Sequence, residues 1–153
     1  MPRITETREL PYTAAQMYDL VADVESYPRF LPWTAAARIR SRETRDDGVE
    51  VLRADLVISF KVFRERFGSE VRLFPEEKRI ETAYLDGPFS HLESEWTFED
   101  LPSGGCRVSF WVDFAFRNAI LGRVLGVVFD EAMRRVVAAF ERRARDLYGS
   151  RAA

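Results

Sequence analysis

The sequence is poor in the residues that usually carry metal sites and catalysis: it has one cysteine, Cys106, and one histidine, His91. A single cysteine excludes an intrachain disulfide, and this pair offers too few soft ligands for a usual zinc site. The sequence also contains no Ser/His/Asp set, glycine-rich phosphate loop or paired carboxylates. These absences favour a non-catalytic protein that requires no cofactor, in a reducing, cytoplasmic compartment.

An excess of charge and a long apolar run are also missing. The net charge is −2 and the pI is near 5.6, so no global positive field supports DNA binding. The most apolar helical stretch, residues 119–129, is interrupted by Arg123 and is shorter than the roughly 20 residues of a membrane span. Residues 1–10 carry acidic side chains and no continuous apolar run, which argues against a secretory signal. We expect a chain that does not cross a bilayer.

Aromatic residues, in contrast, are abundant. They make up 13% of the chain, with twelve Phe, five Tyr and three Trp. Side chains of this size either fill a core or line a hollow one. The length of 153 residues suits one domain, and no linker, internal repeat or low-complexity tract divides it. We predict a single domain over residues 1–149 and a short C-terminal tail over residues 150–153.

The beginning of the chain predicts one strand followed by two short helices. Residues 3–10 are typical of a strand, and Thr13 with Gln16 forms a capping-box pattern for the helix that follows. Residues 24–33, which we call the connector, contain two prolines. Because proline also restricts the residue before it, helical structure in the connector should be limited to short pieces.

From residue 34 to residue 116 the sequence predicts a meander of antiparallel strands, because turn residues separate runs of alternating apolar and polar side chains. His91, Trp111 and Asp113 fall on the polar side, and we expect them to point outward. Trp111 would then be either a contact for another protein or a membrane, or a single exposed aromatic. The apolar positions that we expect on the inner face are Leu52, Ala54, Leu56, Ile58, Phe60, Phe67, Val71, Leu73, Leu92, Trp96, Phe98, Cys106, Val108, Phe110, Val112, Phe114 and Phe116.

Residues 119–148 predict one long helix, because apolar positions recur at three- and four-residue spacing and give a broad buried stripe. Asn118 can cap its start, and Gly149 can end it. At the standard rise the helix is roughly 45 Å long, enough to cross a whole sheet. The element order predicts an α+β fold in which a curved antiparallel sheet of about seven strands wraps around the C-terminal helix.

Several segments carry a family resemblance. The most specific is the connector sequence Tyr27-Pro-Arg-Phe-Leu-Pro-Trp33, and the others are residues 10–13, 20–24, 67, 87–89, 96–98 and 114–116. Together they resemble the coenzyme-Q-binding and ribosome-association-toxin family of the START-like (SRPBCC, polyketide-cyclase-like) superfamily over nearly the whole chain. The resemblance implies a helix-grip fold with a deep apolar cavity. It also implies binding of a polyprenyl quinone, as in mitochondrial members, or interference with ribosomal subunit joining, as in some bacterial members.

Under this resemblance, the inner face of the sheet and the long helix enclose a ligand cavity instead of a solid core. The connector is then either a gate whose aromatic side chains touch a quinone ring or a stiff plug at one end of the core. As a gate, it would let Tyr27 donate a hydrogen bond to a quinone carbonyl. The predicted ligand-binding residues are Tyr27, Phe30, Leu31, Trp33, Leu56, Ile58, Val71, Leu73, Trp96, Phe98, Phe110, Val112, Phe114, Leu125, Val128, Phe129 and Met133.

The function implied by the resemblance is that of a non-catalytic carrier or chaperone for a ubiquinone-like polyprenyl quinone in respiratory electron transport. Its partners would be this hydrophobic molecule and, peripherally, the inner face of the respiratory membrane. A first alternative is a ribosome-associated, toxin-like regulator that uses the arginines of residues 38–45 and 134–145, although nearby acidic residues also suit a solvated face. A second alternative is an aromatase/cyclase-type enzyme, which needs acid and base groups inside the cavity.

Overall fold

The protein, in a computed structural model, is described over residues 3–60 and 63–149, with side chains described except those of residues 60, 63, 121 and 124–130. The chain begins with strand β1 (Arg3–Leu10), helix α1 (Ala14–Ala22) and a 3₁₀ helix (Val24–Arg29). It continues with strands β2 (Thr34–Thr44), β3 (Glu50–Phe60), β4 (Phe63–Phe74), β5 (Arg79–Asp86), β6 (Phe89–Asp100) and β7 (Cys106–Phe116), and with helix α2 (Ala119–Tyr148). The predicted tail, residues 150–153, lies outside the described residues.

The strands form one antiparallel sheet of seven strands in the order β1-β7-β6-β5-β4-β3-β2. Strands β2 to β7 each pair with their neighbours in sequence, while β1 pairs with β7 and places Arg3 opposite Asp113. Register shifts in β2, at Gly68/Ser69 in β4 and at the start of β6 mark irregularities of the kind that bend strands. The prediction of a curved antiparallel sheet around a C-terminal helix is therefore confirmed.

The start of α1 follows from its sequence. The Thr13 hydroxyl accepts a hydrogen bond from the Gln16 backbone N at 3.1 Å, and the Gln16 side chain accepts one from the Thr13 backbone N at 2.9 Å. This capping box satisfies two backbone donors that a helix start leaves without partners. Helix α1 then buries Met17, Leu20 and Val21 against one end of the sheet.

Helix α2 crosses the concave face of the sheet. Its C-terminal part is packed into the core, with Ala139, Phe140 and Ala144 buried. At the other end of the helix, the Asn118 side chain accepts a hydrogen bond from the Ile120 backbone N at 2.9 Å, as expected of a cap. Within residues 3–60 and 63–149, we find no helix with both the length and the apolar character needed to cross a membrane.

Candidate functional site

A cavity of about 360 Å³ separates the concave face of the sheet from α2. Small-molecule sites in proteins typically enclose about 300–1,000 Å³, so this volume lies at the lower end of their range. A water molecule occupies about 30 Å³ in the liquid, so the space corresponds to roughly a dozen water-sized groups. The lining comes from the connector, strands β2 to β7 and α2, and it is overwhelmingly apolar. Apolar lining with a few polar groups is typical of sites for hydrophobic ligands.

Most of the residues predicted to bind a ligand line this cavity. Three others, Leu125, Val128 and Phe129, lie in α2, but their side chains are outside the described part of the structure. The predicted residues in the lining are Tyr27, Leu31, Trp33, Leu56, Ile58, Val71, Trp96, Phe110, Val112, Phe114 and Met133.

Leu73, Phe98 and Phe30 do not line the cavity. Leu73 and Phe98 are buried in the solid core beside α1, where the ring of Tyr18 packs 5.9 Å from that of Phe98. Helix α1 covers this end of the sheet and fills the space above both residues. Phe30 is half-buried, and its ring packs against that of Phe140 at 5.3 Å. The sequence predicted ligand contact for these three residues, and in the structure they pack in or against the core beside the cavity.

The sequence prediction left out several residues that line the cavity. Some were recognised on apolar stripes but not assigned to the site, and their register in the sheet or on the helix would have indicated them. The polar lining residues were not predicted because hydrophobic alternation selects only apolar side chains. The additional lining residues are Val24, Pro32, Thr34, Glu65, Phe67, Ser69, Ile80, Thr82, Pro88, Phe89, Leu92, Ser94, Phe116, Ala132, Val136 and Phe140.

Aromatic rings close the end of the cavity next to the connector. The ring centroid of Phe140 lies 5.6 Å from that of Tyr27 and 5.2 Å from that of Trp96, both in edge contacts. The Tyr27 hydroxyl donates a hydrogen bond to the backbone oxygen of Val21, and burial raises the Tyr27 pKa well above its usual value. Tyr27 therefore stays neutral, binds α1 through its hydroxyl and presents its ring to the cavity.

Trp33, at the end of the connector, has a strained backbone. Its φ is 60°, in the left-handed region that costs a side chain such as tryptophan roughly 1–2 kcal/mol. The Trp33 carbonyl accepts a hydrogen bond from the Ser59 backbone N at 2.8 Å, which ties this conformation to β3. Such strain persists only where the surrounding structure enforces it. Here it places a large aromatic side chain in the cavity lining.

A second group of aromatic rings lines the cavity near Glu65 on β4, and the exposure of this lining residue indicates that the cavity opens to solvent at this end. Phe89 is central to this group: its ring lies 5.5 Å from that of Phe67 and stacks on that of Phe116 at 4.9 Å. Gly87 precedes these rings with a φ of 139°, and a Cβ there would lie 2.6 Å from the Cβ of Phe67. A glycine is needed at this position for both the backbone conformation and the close approach.

The lining offers little acid-base chemistry. Among its described side chains, the ionisable ones are Glu65, at the open end, and Tyr27, whose hydroxyl is engaged with α1. Its other polar side chains include the hydroxyls of Ser69, Thr82 and Ser94. The part of the chain that the structure describes also holds no group of three or more His, Cys, Asp and Glu arranged for a metal ion. This chemistry suits binding better than proton transfer.

The side chains predicted to point outward lie on the convex face, away from the cavity. His91 Nε2 is 3.2 Å from Asp113 Oδ1. The Trp111 indole donates a hydrogen bond to Glu95 at 3.2 Å, and the Arg3 guanidinium lies 4.5 Å from the centroid of the Trp111 ring. Trp111 is therefore covered by side chains of its own chain, which argues against a bare docking surface at this position.

Many arginines of the two predicted clusters are paired with acidic side chains. Arg40 lies 2.8 Å from Asp55 on β3, and Arg134 and Arg135 both contact Glu131 on α2, at 3.2 and 3.3 Å. Exposed pairs of this kind add little stability, about 0–1 kcal/mol, but they neutralise the local field. A phosphate ligand would have to compete with these carboxylates.

An antiparallel sheet that wraps around a long C-terminal helix and leaves an apolar cavity between them defines the helix-grip, START-like class of proteins. A START superfamily protein from Mycobacterium smegmatis has the same fold, with a TM-score of 0.78 and 21% identity over 95% of this chain and 98% of that one. Residues 10–141 match the family described as polyketide cyclase / dehydrase and lipid transport, and the chain belongs to this family.

Two relatives are similar over most of this chain. Ribosome association toxin RatA of Rickettsia prowazekii is 37% identical over 145 residues, which cover 92% of this chain and 94% of the relative. Coenzyme Q-binding protein COQ10 homolog B, mitochondrial, of Xenopus laevis is 34% identical over 149 residues, which cover 95% of this chain and 59% of the relative. The family resemblance is confirmed, and the two names point to different activities.

Proposed function

We propose that this protein is a non-catalytic carrier that binds a ubiquinone-like polyprenyl quinone and delivers it to, or shields it for, respiratory enzymes. The observation that carries the proposal is the apolar cavity of about 360 Å³ under α2. The 34% identity to a relative named as coenzyme Q-binding supports the choice of ligand. The lack of an acid-base pair among the described lining residues supports a binding role over an aromatase/cyclase reaction.

The size of the cavity sets how much of a quinone it holds. Room for roughly a dozen water-sized groups suits a substituted quinone ring, so most of a long prenyl tail must extend past the open end at Glu65. Burial of each CH₂ group contributes about 0.8 kcal/mol, so one five-carbon prenyl unit contributes about 3–4 kcal/mol before ordering costs. The ring and the first prenyl units therefore supply most of the affinity.

We further propose a cytoplasmic protein that touches the inner face of the respiratory membrane while it exchanges ligand. Support comes from exposed apolar and basic side chains at the end of the sheet where the cavity opens. Ile120 is 72% exposed there, at the start of α2, and Arg64, Arg117 and Arg123 are exposed nearby. Anionic lipids attract arginines close to a membrane surface by about 1 kcal/mol each, and the apolar Ile120 side chain can enter the interface.

Direct detection of ligand tests the carrier function. The protein is purified without detergent, its organic extract is analysed by mass spectrometry, and a short-chain ubiquinone analogue is then titrated while tryptophan fluorescence is recorded. Trp96 and Trp33 line the cavity, so a bound quinone should quench them. Extracts that carry no quinone above control levels, together with no saturable quenching, would contradict the proposal.

A pair of variants on β7 tests whether the ligand binds in the cavity. Phe110 lines the cavity, with its ring 4.4 Å from that of Trp96, whereas Ser109 belongs to the opposite face of the same strand. Phe110→Asp should lower quinone affinity at least 100-fold, because it puts an uncompensated carboxylate into the binding space. Ser109→Asp, the matched control, should bind like the wild type. Unchanged binding by a folded Phe110→Asp variant would place the ligand elsewhere.

The 37% identity to a relative named as a ribosome association toxin favours a second candidate, a contact with ribosomal RNA. Arg142 and Arg145 are exposed on α2 and form no ion pair with any described residue, so they are available to phosphate. Cosedimentation with ribosomes should then weaken as salt rises, and the double variant Arg142→Gln, Arg145→Gln should weaken it further. Arg134→Gln, at a position already paired with Glu131, is the control. Absent or salt-insensitive cosedimentation would contradict this candidate.

A further inference from the structure

Three hydroxyl side chains lie next to one another on the floor of the cavity. Thr82 on β5 is directly opposite Ser94 on β6, and Ser69 on β4 is two residues from Val71, the partner of Thr82. All three hydroxyl residues line the cavity. Opposite residues of antiparallel strands place their Cβ atoms about 4.5–5.5 Å apart, and diagonal neighbours follow at about 7–8 Å. Ser69, Thr82 and Ser94 therefore form one polar row, which we call the hydroxyl row.

The hydroxyl row has no partner in the fold itself. Ser69 is only 3% exposed, whereas Thr82 and Ser94 are half-buried and border the open space of the cavity, and none of the three side chains makes a hydrogen bond to another residue within the described structure. A hydroxyl that an apolar ligand covered without offering it a hydrogen bond would cost about 1–3 kcal/mol. Alanine or valine would fill the same positions without this cost. The missing partner must therefore come from the cavity, either as water or as an oxygen of the ligand.

We infer that the hydroxyl row is a subsite for an uncharged oxygen of the ligand, a carbonyl or hydroxyl group on an otherwise apolar molecule, which enters the cavity polar end first. This inference rests on the proposed carrier function and states which end of the ligand lies beyond the phenylalanine rings, away from the open end. A hydroxyl both donates and accepts hydrogen bonds, so it suits neutral oxygens. A carboxylate or phosphate at the same place would be buried without a cation, because no basic side chain belongs to the described lining.

The rest of the lining fixes the direction of the ligand. The open end is surrounded by the rings of Phe67, Phe89 and Phe116, which suit an apolar chain. Glu65 at this end would repel an anionic group that stayed there. A polar group on the hydroxyl row and a hydrocarbon chain along the phenylalanine rings satisfy both regions at once.

The test compares two ligands in two proteins. The ligands are a short-chain ubiquinone and a hydrocarbon of the same chain length without the quinone ring, and the proteins are the wild type and the double variant Thr82→Val, Ser94→Ala. Quinone affinity should fall about 2- to 10-fold for each hydrogen bond lost, while hydrocarbon affinity stays the same or rises. Infrared spectra should show the quinone carbonyl stretch moving to higher frequency in the variant. Thr97→Val, on the outer face of β6, is the control and should change neither affinity.

The outcomes separate this inference from the carrier function. If the double variant binds quinone as the wild type does, with an unchanged carbonyl frequency, the hydroxyl row is not the subsite although the cavity still carries quinone. If a fatty acid of equal length binds more tightly than the quinone, the preference for a neutral oxygen is wrong. If the wild type binds neither quinone nor hydrocarbon, the carrier function fails and the inference fails with it. The melting temperature of the empty double variant should stay close to that of the wild type, because Thr82 and Ser94 are half-buried and make no hydrogen bond to another residue within the described structure.

Discussion

The variant Tyr27→Phe tests whether the Tyr27 hydroxyl in the connector stabilises the fold or binds the ligand. In the structure this hydroxyl donates a hydrogen bond to the carbonyl of Val21, in the last turn of α1. The final carbonyls of a helix have no partner within the helix, and Val21 is buried, so the variant leaves a buried acceptor unsatisfied. The cost is about 1–3 kcal/mol, which for a chain of this length lowers the melting temperature by about 2–12 °C.

Quinone binding by the Tyr27→Phe variant should stay within twofold of the wild type, because the ring remains in the lining and the hydroxyl was never available to the ligand. Circular dichroism gives the melting temperature, and the fluorescence titration gives the affinity. Tyr12→Phe is a matched control, since the Tyr12 hydroxyl donates to the carbonyl of Gly149 at the end of α2. A fivefold or larger loss of affinity at an unchanged melting temperature would show that the Tyr27 hydroxyl serves the ligand.

Three further predictions concern stability. Gly87→Ala should lower the melting temperature more than Gly48→Ala does, because both have positive φ but only at Gly87 would the new Cβ collide, 2.6 Å from that of Phe67; equal losses would exclude the collision. Burial raises the Cys106 pKa from 9.0 to about 11, so the free energy of unfolding should fall between pH 9 and 11, by up to about 1.4 kcal/mol per pH unit. Denaturant unfolding of Cys106→Ala should lack this contribution. Thr13→Ala, measured in the same way, should cost about 1 kcal/mol through the lost cap; no loss would mean that the cap is unimportant.

The fold is well encoded in local sequence patterns. The apolar alternation of β7 and the three- and four-residue spacing of α2 each identify one face of an element, and those faces meet in the structure. The capping box at Thr13 and the glycine at 149 mark helix ends for reasons that depend only on neighbouring residues. The order of β2 to β7 in the sheet could be predicted, because short turns leave consecutive antiparallel strands little choice of partner.

The site is encoded less completely, because alternation gives the face of a strand but not the position along it. Val71 and Leu73 share a face of β4, as Trp96 and Phe98 share a face of β6, yet only the first of each pair lines the cavity. The difference arises from α1, which covers one end of the sheet and leaves the middle open. Contacts between elements far apart in sequence determine which positions of a strand α1 covers, and no local sequence pattern predicts these contacts.

The pairing of β1 with β7 constrains the order in which the molecule can be assembled during synthesis. Arg3 pairs with Asp113, so β1 has no partner in the sheet until β7 has also been translated. At about 5–20 residues per second, this delay is on the order of ten seconds. Helix α2, which covers the apolar concave face of the sheet, is translated after β7. The nascent chain therefore exposes the apolar concave face of the sheet until α2 has emerged, and slower synthesis of α2 should lengthen the time in which aggregation competes with folding.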